Sequence, residues 1–310
     1  MNTLVTIVTP SYNQAQFIEA TIQSVLTQDY QPIEYIVMDG GSNDGTLDIL
    51  RKYEDRLTWV SERDKGQGDA INKGFRRANG AILGWLNSDD VFAAGAIRTV
   101  AEYFDQHPNA SLVYGDAMAI TLEGEPAGMR THIRPCTFET LRDVGDFIVQ
   151  PATFWRADLW KTIGELDTRW QYVLDYEYWI RAAQHYDLHY IPHLLAKERI
   201  YAAAKTFRGG IERIMELDEM PRRFDGSGVA SGFRSEGSAL FLFRAFDHLK
   251  HGRFADARDD WQTARELNND ASKMLIYLSA LMLRGEAGIP GMRLSMNRLR
   301  GLLQRNSLAE

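Results

Sequence analysis

Short apolar, β-branched runs alternate with amphipathic stretches over the first 120 residues. "TLVTIVTP" (3–10) is a compact apolar run ending at Pro10, and its period predicts a buried strand. "AQFIEATIQSVLTQ" (15–28) repeats its apolar positions Phe17, Ile18, Ile22, Val25 and Leu26 at helical spacing. The same alternation predicts strands at 33–39, 57–62, 81–87 and 110–117, with helices at 46–53, 68–79 and 94–107. Strands and helices in strict alternation predict a parallel α/β sheet with right-handed crossovers. Beyond 120 the pattern loosens. "TLEGEPAGMR" reads as a hairpin or loop, 147–167 as a strand followed by a short helix, 175–186 as an amphipathic helix and 188–201 as more strand. From 206 onward the chain reads as helical. "FADARDDWQTARELNND" (254–270) has the spacing of one tetratricopeptide-like hairpin, or of plain helix packing.

The turns add chemistry to this frame. "PSYNQ", "DGGSNDG", "ERDKGQGD" and "NSDD" all follow predicted parallel strands, so all four fall on the carboxyl edge, where α/β sheets bind ligands. Each is rich in Asp, Asn or Gly. "NSDD" sets the sharpest problem, because Asp89 and Asp90 are adjacent carboxylates at the end of an apolar run. Like charges side by side are costly to bury. Three resolutions are open: a solvated turn, Asp90 capping the next helix, or a divalent cation that cancels the charge.

Composition narrows the class. Of 310 residues, 45% are hydrophobic and 25% charged, an ordinary globular balance with material for one large domain and a smaller one. The single cysteine, Cys136, rules out an internal disulfide framework and fits a reducing compartment. The N-terminus has no signal-peptide pattern, and no apolar run reaches membrane-span length. The expected location is the cytoplasm, including the inner face of the membrane. Net charge is −7 and uneven: residues 1–205 hold 28 Asp and Glu against 19 Lys and Arg. So acidic a segment argues against nucleic acid as a partner.

"TIVTPSYNQAQFIEATIQSVLTQDY…EYIVMDGGSNDGTLDIL", "ERDKGQGDAINKGFRRANGAILGWLNSDD" and "GELDTRWQYVLDYEYWIR", in this order and spacing, resemble the family 2 glycosyltransferases. The resemblance covers about residues 3–205. It implies a GT-A fold, a Rossmann-like, mostly parallel mixed sheet flanked by helices, here with an all-helical extension over 206–310. It also implies inverting transfer of a sugar from a nucleotide diphosphate sugar, with UDP- and dTDP-sugars favoured, to a saccharide or lipid-linked acceptor.

Roles follow from the same resemblance. Thr9, Pro10, Tyr12 and Asp39 match the positions that hold the nucleotide base. A carboxylate only accepts hydrogen bonds, so Asp39 would take the imide N–H of uracil or thymine, or the N1–H of guanine. Its other reading is a turn residue opening "DGGSNDG". Asp64, Lys65 and Asp69 fall where the family makes nucleotide or sugar contacts. In the acidic turn the usual Asp-x-Asp is replaced by Asn87, Ser88 and Asp89, so Asn87 would hold the ribose without charge. Asp89, helped by Asp90, would bind Mn²⁺ or Mg²⁺. Asp175 matches the general base, and the Glu that commonly precedes it is Leu174 here. Its other reading is a helix cap. Trp155 and Trp179 could form a stacking platform for the acceptor, but core packing is favoured.

Two other functions compete. A sugar-phosphate nucleotidyltransferase would need a glycine-rich, basic loop after the first strand, and "TPSYNQAQF" has neither. A non-catalytic binder would hold nucleotide without releasing diphosphate. The basic segment "PGMRLSMNRLRGLLQR" (290–305) is expected to pack on the preceding helices or to lie on an anionic membrane.

Overall fold

The computed structural model describes residues 2–201, 204–205, 209–226 and 228–267. The segment 290–305, with its packing and membrane readings, lies outside the described residues.

The described residues divide into two compact units, one of residues up to 142 with 146–200 and one of residues 143–145 with those from 201 on. In the first, the alternation seen in the sequence runs β1 (Val5–Ser11), α1 (Ile18–Leu26), β2 (Ile33–Asp39), α2 (Thr46–Arg51), β3 (Thr58–Ser61), α3 (Gln67–Phe75) and β4 (Ile82–Trp85). These four strands pair in parallel in the order β3-β2-β1-β4. The β1 register matches Ser11 with Asp39, and β2 matches Asp39 with Ser61, so the strands end level. The turns after all four strands therefore lie along one edge of the sheet.

The second half of the unit departs from strict alternation. After "NSDD" comes the short strand β5 (Val91–Phe92), then α4 (Ala96–Gln106), β6 (Leu112–Ile120) and β7 (Pro126–Met129). β7 pairs antiparallel with β6, so of the two readings of "TLEGEPAGMR", hairpin or loop, it is the hairpin. Helix α5 (Phe138–Asp143) and a single 3₁₀ turn (Gln150–Ala152) lead into β8 (Thr153–Arg156). β8 lies between β4 and β6, antiparallel to both. Antiparallel neighbours need no crossover connection between them. Helices α6 (Ala157–Ile163) and α7 (Leu174–Ala183) and the strand β9 (Leu188–Arg199) complete the unit. β9 runs parallel to β6 and antiparallel to β5. The result is a mixed sheet of nine strands.

The core packs both faces of this sheet. Val5, Ile7, Val37, Ile82 and Phe154 are buried with Ile18, Ile22 and Val25 of α1 and Ile97, Val100 and Phe104 of α4. A separate aromatic cluster joins Phe75, Trp155, Trp160, Tyr178 and Trp179, with ring centroids 4.8 to 5.9 Å apart. Trp155 and Trp179 are essentially inaccessible, so they pack the core and offer no acceptor platform.

In the second unit, α8 (Gly210–Arg222), α9 (Arg234–Lys250) and α10 (Phe254–Leu267) are helical. Ala257 and Ala264 are buried, and Arg244 on α9 forms a bidentate ion pair with the buried Asp260 on α10.

Helix α3 approaches the sheet at Gly74. A Cβ there would sit 2.4 Å from Val8 Cγ1 and 3.2 Å from Met38 Cγ, inside contact distance. Gly74→Ala gains about 1 kcal/mol of helix propensity. Overpacking of this kind costs about 1–3 kcal/mol. A net loss of stability is expected in urea unfolding, and a variant as stable as the parent would refute the close approach.

Candidate active site

The first two edge turns are stitched together. Gly40 N–H donates to Ser11 O (2.8 Å), Asn13 N–H to Ser42 Oγ (2.7 Å) and Asn43 N–H to Asn13 Oδ1 (2.9 Å). Gln14 N–H reaches Thr46 Oγ1 and Ala15 N–H reaches Asp44 Oδ2, both at 2.9 Å. Asn13 takes a left-handed φ of 52°, a conformation asparagine tolerates better than most residues. The stitching leaves Tyr12 on the crest, 60% exposed. Thr9 and Pro10 are instead buried strand residues, and Thr9 Oγ1 is 3.1 Å from Tyr35 Oη. Of the three residues expected to meet the base from this turn, only Tyr12 presents its side chain to solvent.

Asp39 is 2% exposed. Its Oδ2 accepts from Gly41 N–H (3.0 Å), Ser42 N–H (2.9 Å) and Ser61 Oγ–H (2.7 Å), and its Oδ1 accepts from the Ser42 hydroxyl. Its own turn and the neighbouring strand supply all four donors. At the third turn, Asp69 accepts from Lys65 N–H (3.0 Å) and pairs with Lys73 (3.3 Å). Burial pushes the Asp69 carboxyl up, but these hydrogen bonds and the Lys73 charge outweigh it and hold the pKa below the usual carboxylate range. Asp69 therefore organises the start of α3. Asp64 is half-buried, with Oδ1 accepting from Gly66 N–H at 2.8 Å, and Lys65 is exposed.

The acidic turn resolves the problem posed by its sequence. Asn87 Oδ1 accepts from Trp85 Nε1–H (2.7 Å) and Gln67 Nε2–H (2.8 Å). Asn87 Nδ2 donates to Gln150 Oε1 (2.9 Å) and, more weakly, to Asp90 Oδ2 (3.4 Å). Gln150 Nε2 donates in turn to Trp85 O at 2.6 Å, which fixes the orientation of its amide. The side chain of Asn87 is thus fully engaged by the protein, and the expected ribose contact has no group left to make it.

Ser88 and Asp90 are buried. Asp90 Oδ1 accepts from Arg199 N–H (2.8 Å), and Asp90 O accepts from Thr21 Oγ–H (2.7 Å). Arg199 Nε–H holds Asp89 O at 2.9 Å. Burial pushes the Asp90 carboxyl well above the usual range, and Asp89 and Glu198 add to the shift, against the hydrogen bonds from Arg199 and Asn87. Asp90 does not cap the next helix, because α4 begins at Ala96 after Gly95. Nor does so buried a carboxyl suit a metal helper. Among the described residues no group of three or more His, Cys, Asp and Glu side chains could hold an ion by itself. The half-buried Asp89 fits a divalent ion only as one carboxylate ligand completed by phosphate oxygens, a donor set usual for Mg²⁺.

Asp175 is half-buried at the second position of α7. The cap residue is Val173, which makes no side-chain capping bond, so the capping role expected for Asp175 falls away. Asp175 Oδ1 accepts from Tyr176 N–H at 2.9 Å. The helix start lies against the third edge turn: a Cβ on Gly68 would sit 3.5 Å from Leu174 Cδ1 and 3.4 Å from Thr168 Cγ2. The neighbouring acids have other partners. Glu177 is buried in a bidentate pair with Arg181 (3.0 and 2.9 Å), and burial raises its pKa despite that partner. Asp167 accepts from Arg169 at both oxygens, Nε–H to Oδ1 and Nη2–H to Oδ2.

Gln67 and Arg199 are not legible in the sequence as site residues. Gln67 lies within "ERDKGQGD" but its amide carries no chemistry that marks it there, Arg199 ends β9 outside any motif, and each reaches the acidic turn from another element.

Four parallel strands with polar turns on one edge provide an edge where α/β sheets bind ligands, and comparison with known proteins decides the family. Residues 6–158 match the family described as glycosyl transferase family 2. A PGL/p-HBAD biosynthesis glycosyltransferase of Mycobacterium bovis is 30% identical over 180 residues, which are 56% of this chain and 68% of that protein. The chain belongs to glycosyl transferase family 2. It is an enzyme with the GT-A fold. Staphylococcus aureus TarS 1–349, solved with UDP-GlcNAc, superposes with a TM-score of 0.57 at 15% identity, over 84% of this chain and 91% of that one. The mannosyltransferase PcManGT of Pyrobaculum calidifontis, solved with GDP-Man and Mn²⁺, gives 0.57 at 19% identity, over 93% and 82%. No helix among the described residues of this glycosyltransferase is long and apolar enough to cross a membrane.

Asp90→Ala would leave the buried Arg199 N–H without its acceptor, at a cost of about 1–3 kcal/mol. Asp90→Asn keeps an acceptor and is expected to unfold within about 1 kcal/mol of the parent. Guanidinium unfolding of both variants checks this, and equal stability of the alanine variant and the parent would contradict the structural role.

Proposed function

We propose that this family 2 glycosyltransferase transfers a sugar with inversion from a nucleotide diphosphate sugar to a hydroxyl of a saccharide or lipid-linked acceptor. Uridine and thymidine donors are favoured. The observation that carries this reading is the shared edge. Tyr12 stands exposed on the first turn, Asp89 lies in the turn after the fourth strand, and the helix bearing Asp175 starts against the third turn. The ligands of the two structural neighbours, UDP-GlcNAc and GDP-Man, support a nucleotide sugar as donor.

Each residue has a definable role. The exposed ring of Tyr12 gives the base an apolar face to stack on. Arg199, through Asp89 O, and the Asn87 network hold the backbone of the acidic turn in place before the donor arrives. Asp89 would hold Mn²⁺ or Mg²⁺ together with the diphosphate, and the bound ion would neutralise charge on the leaving diphosphate. The Mn²⁺ in the PcManGT complex supports a metal of this kind. Asp175 takes the proton of the attacking hydroxyl as the C–O bond forms and the bond to the diphosphate breaks. Its place in the first turn of α7 favours the ionised carboxylate, the form a base needs. The domain reading that goes with this mechanism is a catalytic domain over 1–205 and a helical region over 206–310 that contacts acceptor, partner or membrane surface.

Asp175→Asn keeps the shape of the side chain but cannot take a proton. Turnover should fall about 10²–10⁴-fold with donor affinity nearly unchanged. Turnover within a few-fold of the parent would move the base elsewhere. Asp89→Ala should abolish Mn²⁺-dependent donor binding in calorimetry while circular dichroism stays native. Activity that persists in excess chelator would contradict the metal assignment.

A further inference from the structure

The carboxylate expected to read the nucleotide base, Asp39, is 2% exposed and already receives four hydrogen bonds from its own turn and Ser61. Reaching it would mean dismantling the turn that aligns β2 with β1. A second carboxylate stands on the same edge. Asp64 Oδ1 is held by Gly66 N–H at 2.8 Å, which fixes the plane of the group. Its Oδ2 points over Gly40, 2.7 Å from where a Cβ on that residue would be, and Tyr12 Cδ2 is 3.4 Å from the same point. A Cβ at position 40 would force the Asp64 carboxylate to turn away from this place and would touch Tyr12. Glycine there lets an oriented carboxylate oxygen stand beside an exposed aromatic ring.

We infer that Asp64, and not Asp39, is the residue that selects the nucleotide base, and that it selects a base carrying a ring N–H: the imide of uracil or thymine, or the lactam of guanine. This rests on the nucleotide-sugar reading above. A base stacked on the Tyr12 ring turns its edge toward Asp64 Oδ2. That oxygen can only accept, so it bonds to N3–H of uracil and repels the N3 lone pair of cytosine. Adenine, with a bare N1, is excluded in the same way. A hydrogen bond to a charged acceptor is among the stronger ones, so the preference should be about tenfold or more. Asp39 serves the site differently, by closing the turn that carries Gly40 under the base.

The substitution Asp64→Asn tests this directly. Gly66 N–H still requires the Asn oxygen, so the amide nitrogen must take the place of Oδ2 and offer a donor where the parent offers an acceptor. Affinities of UDP, CDP, GDP and ADP for the full chain with Mn²⁺ are measured by calorimetry. The parent should favour UDP or GDP over CDP by tenfold or more. In Asp64→Asn that ratio should collapse or invert toward CDP, and the ratio cancels any general effect of removing a negative charge near the diphosphate. Asp39→Asn should keep the parent ratio and lower the melting temperature. An unchanged ratio in Asp64→Asn, or a collapsed ratio in Asp39→Asn, overturns the assignment and leaves the nucleotide-sugar reading standing. A parent that binds none of the four nucleotides overturns both.

Discussion

The carboxyl edge depends on the burial of Asp90. Placing an acid at the end of β4, beside a second acid, is tolerable only if its charge is reduced and its oxygens are satisfied. Both conditions are met: burial favours the protonated form, and the backbone N–H of Arg199 fills one oxygen. The same arginine reaches Asp89 O, Thr121 O and Leu122 O, and its guanidinium lies over the Phe17 ring. One residue at the end of β9 thereby ties together the acidic turn, the β6–β7 hairpin and the approach to α1. With Asp90 sealed inside, Asp89 is the acid of the pair left half-buried at the edge.

A second consequence concerns Asn87. Its amide meets two donors on one side and an acceptor, Gln150 Oε1, on the other. A carboxylate in its place would face Gln150 Oε1 with oxygen against oxygen. The neutral residue is therefore demanded by its surroundings, and the departure from the usual acidic pair is a matter of packing as much as of ligand chemistry.

The acids of this edge divide by what surrounds them. Asp39, Asp69, Asp90 and Glu177 are engaged by backbone N–H groups, hydroxyls or cations of the protein, and they set the shapes of the turns and helix starts. Asp64, Asp89 and Asp175 are half-buried along the same edge. A cluster of acids that looks uniform in sequence thus differs in depth and in partners, from the buried Asp39 and Asp90 to the half-buried Asp64, Asp69, Asp89 and Asp175.

Local pattern alone determined much of this protein. The alternating strands and helices to β4, the placement of four polar turns on one edge, the helix carrying Asp175 and the core role of Trp155 and Trp179 all follow from periodicity and apolar character, which are local properties. Only the tertiary structure decided the rest. β8 inserts antiparallel between β4 and β6, because strand order depends on which slot in the sheet a segment fills and not on its own composition. Thr9 and Pro10 proved to be buried strand, Asp39 a turn anchor and Asn87 a satisfied brace. In each case the deciding partners, Tyr35, Ser61, Gln67, Gln150 and Arg199, come from other elements. A carboxylate reads the same in sequence whatever donors surround it, and only the fold brings those donors into place.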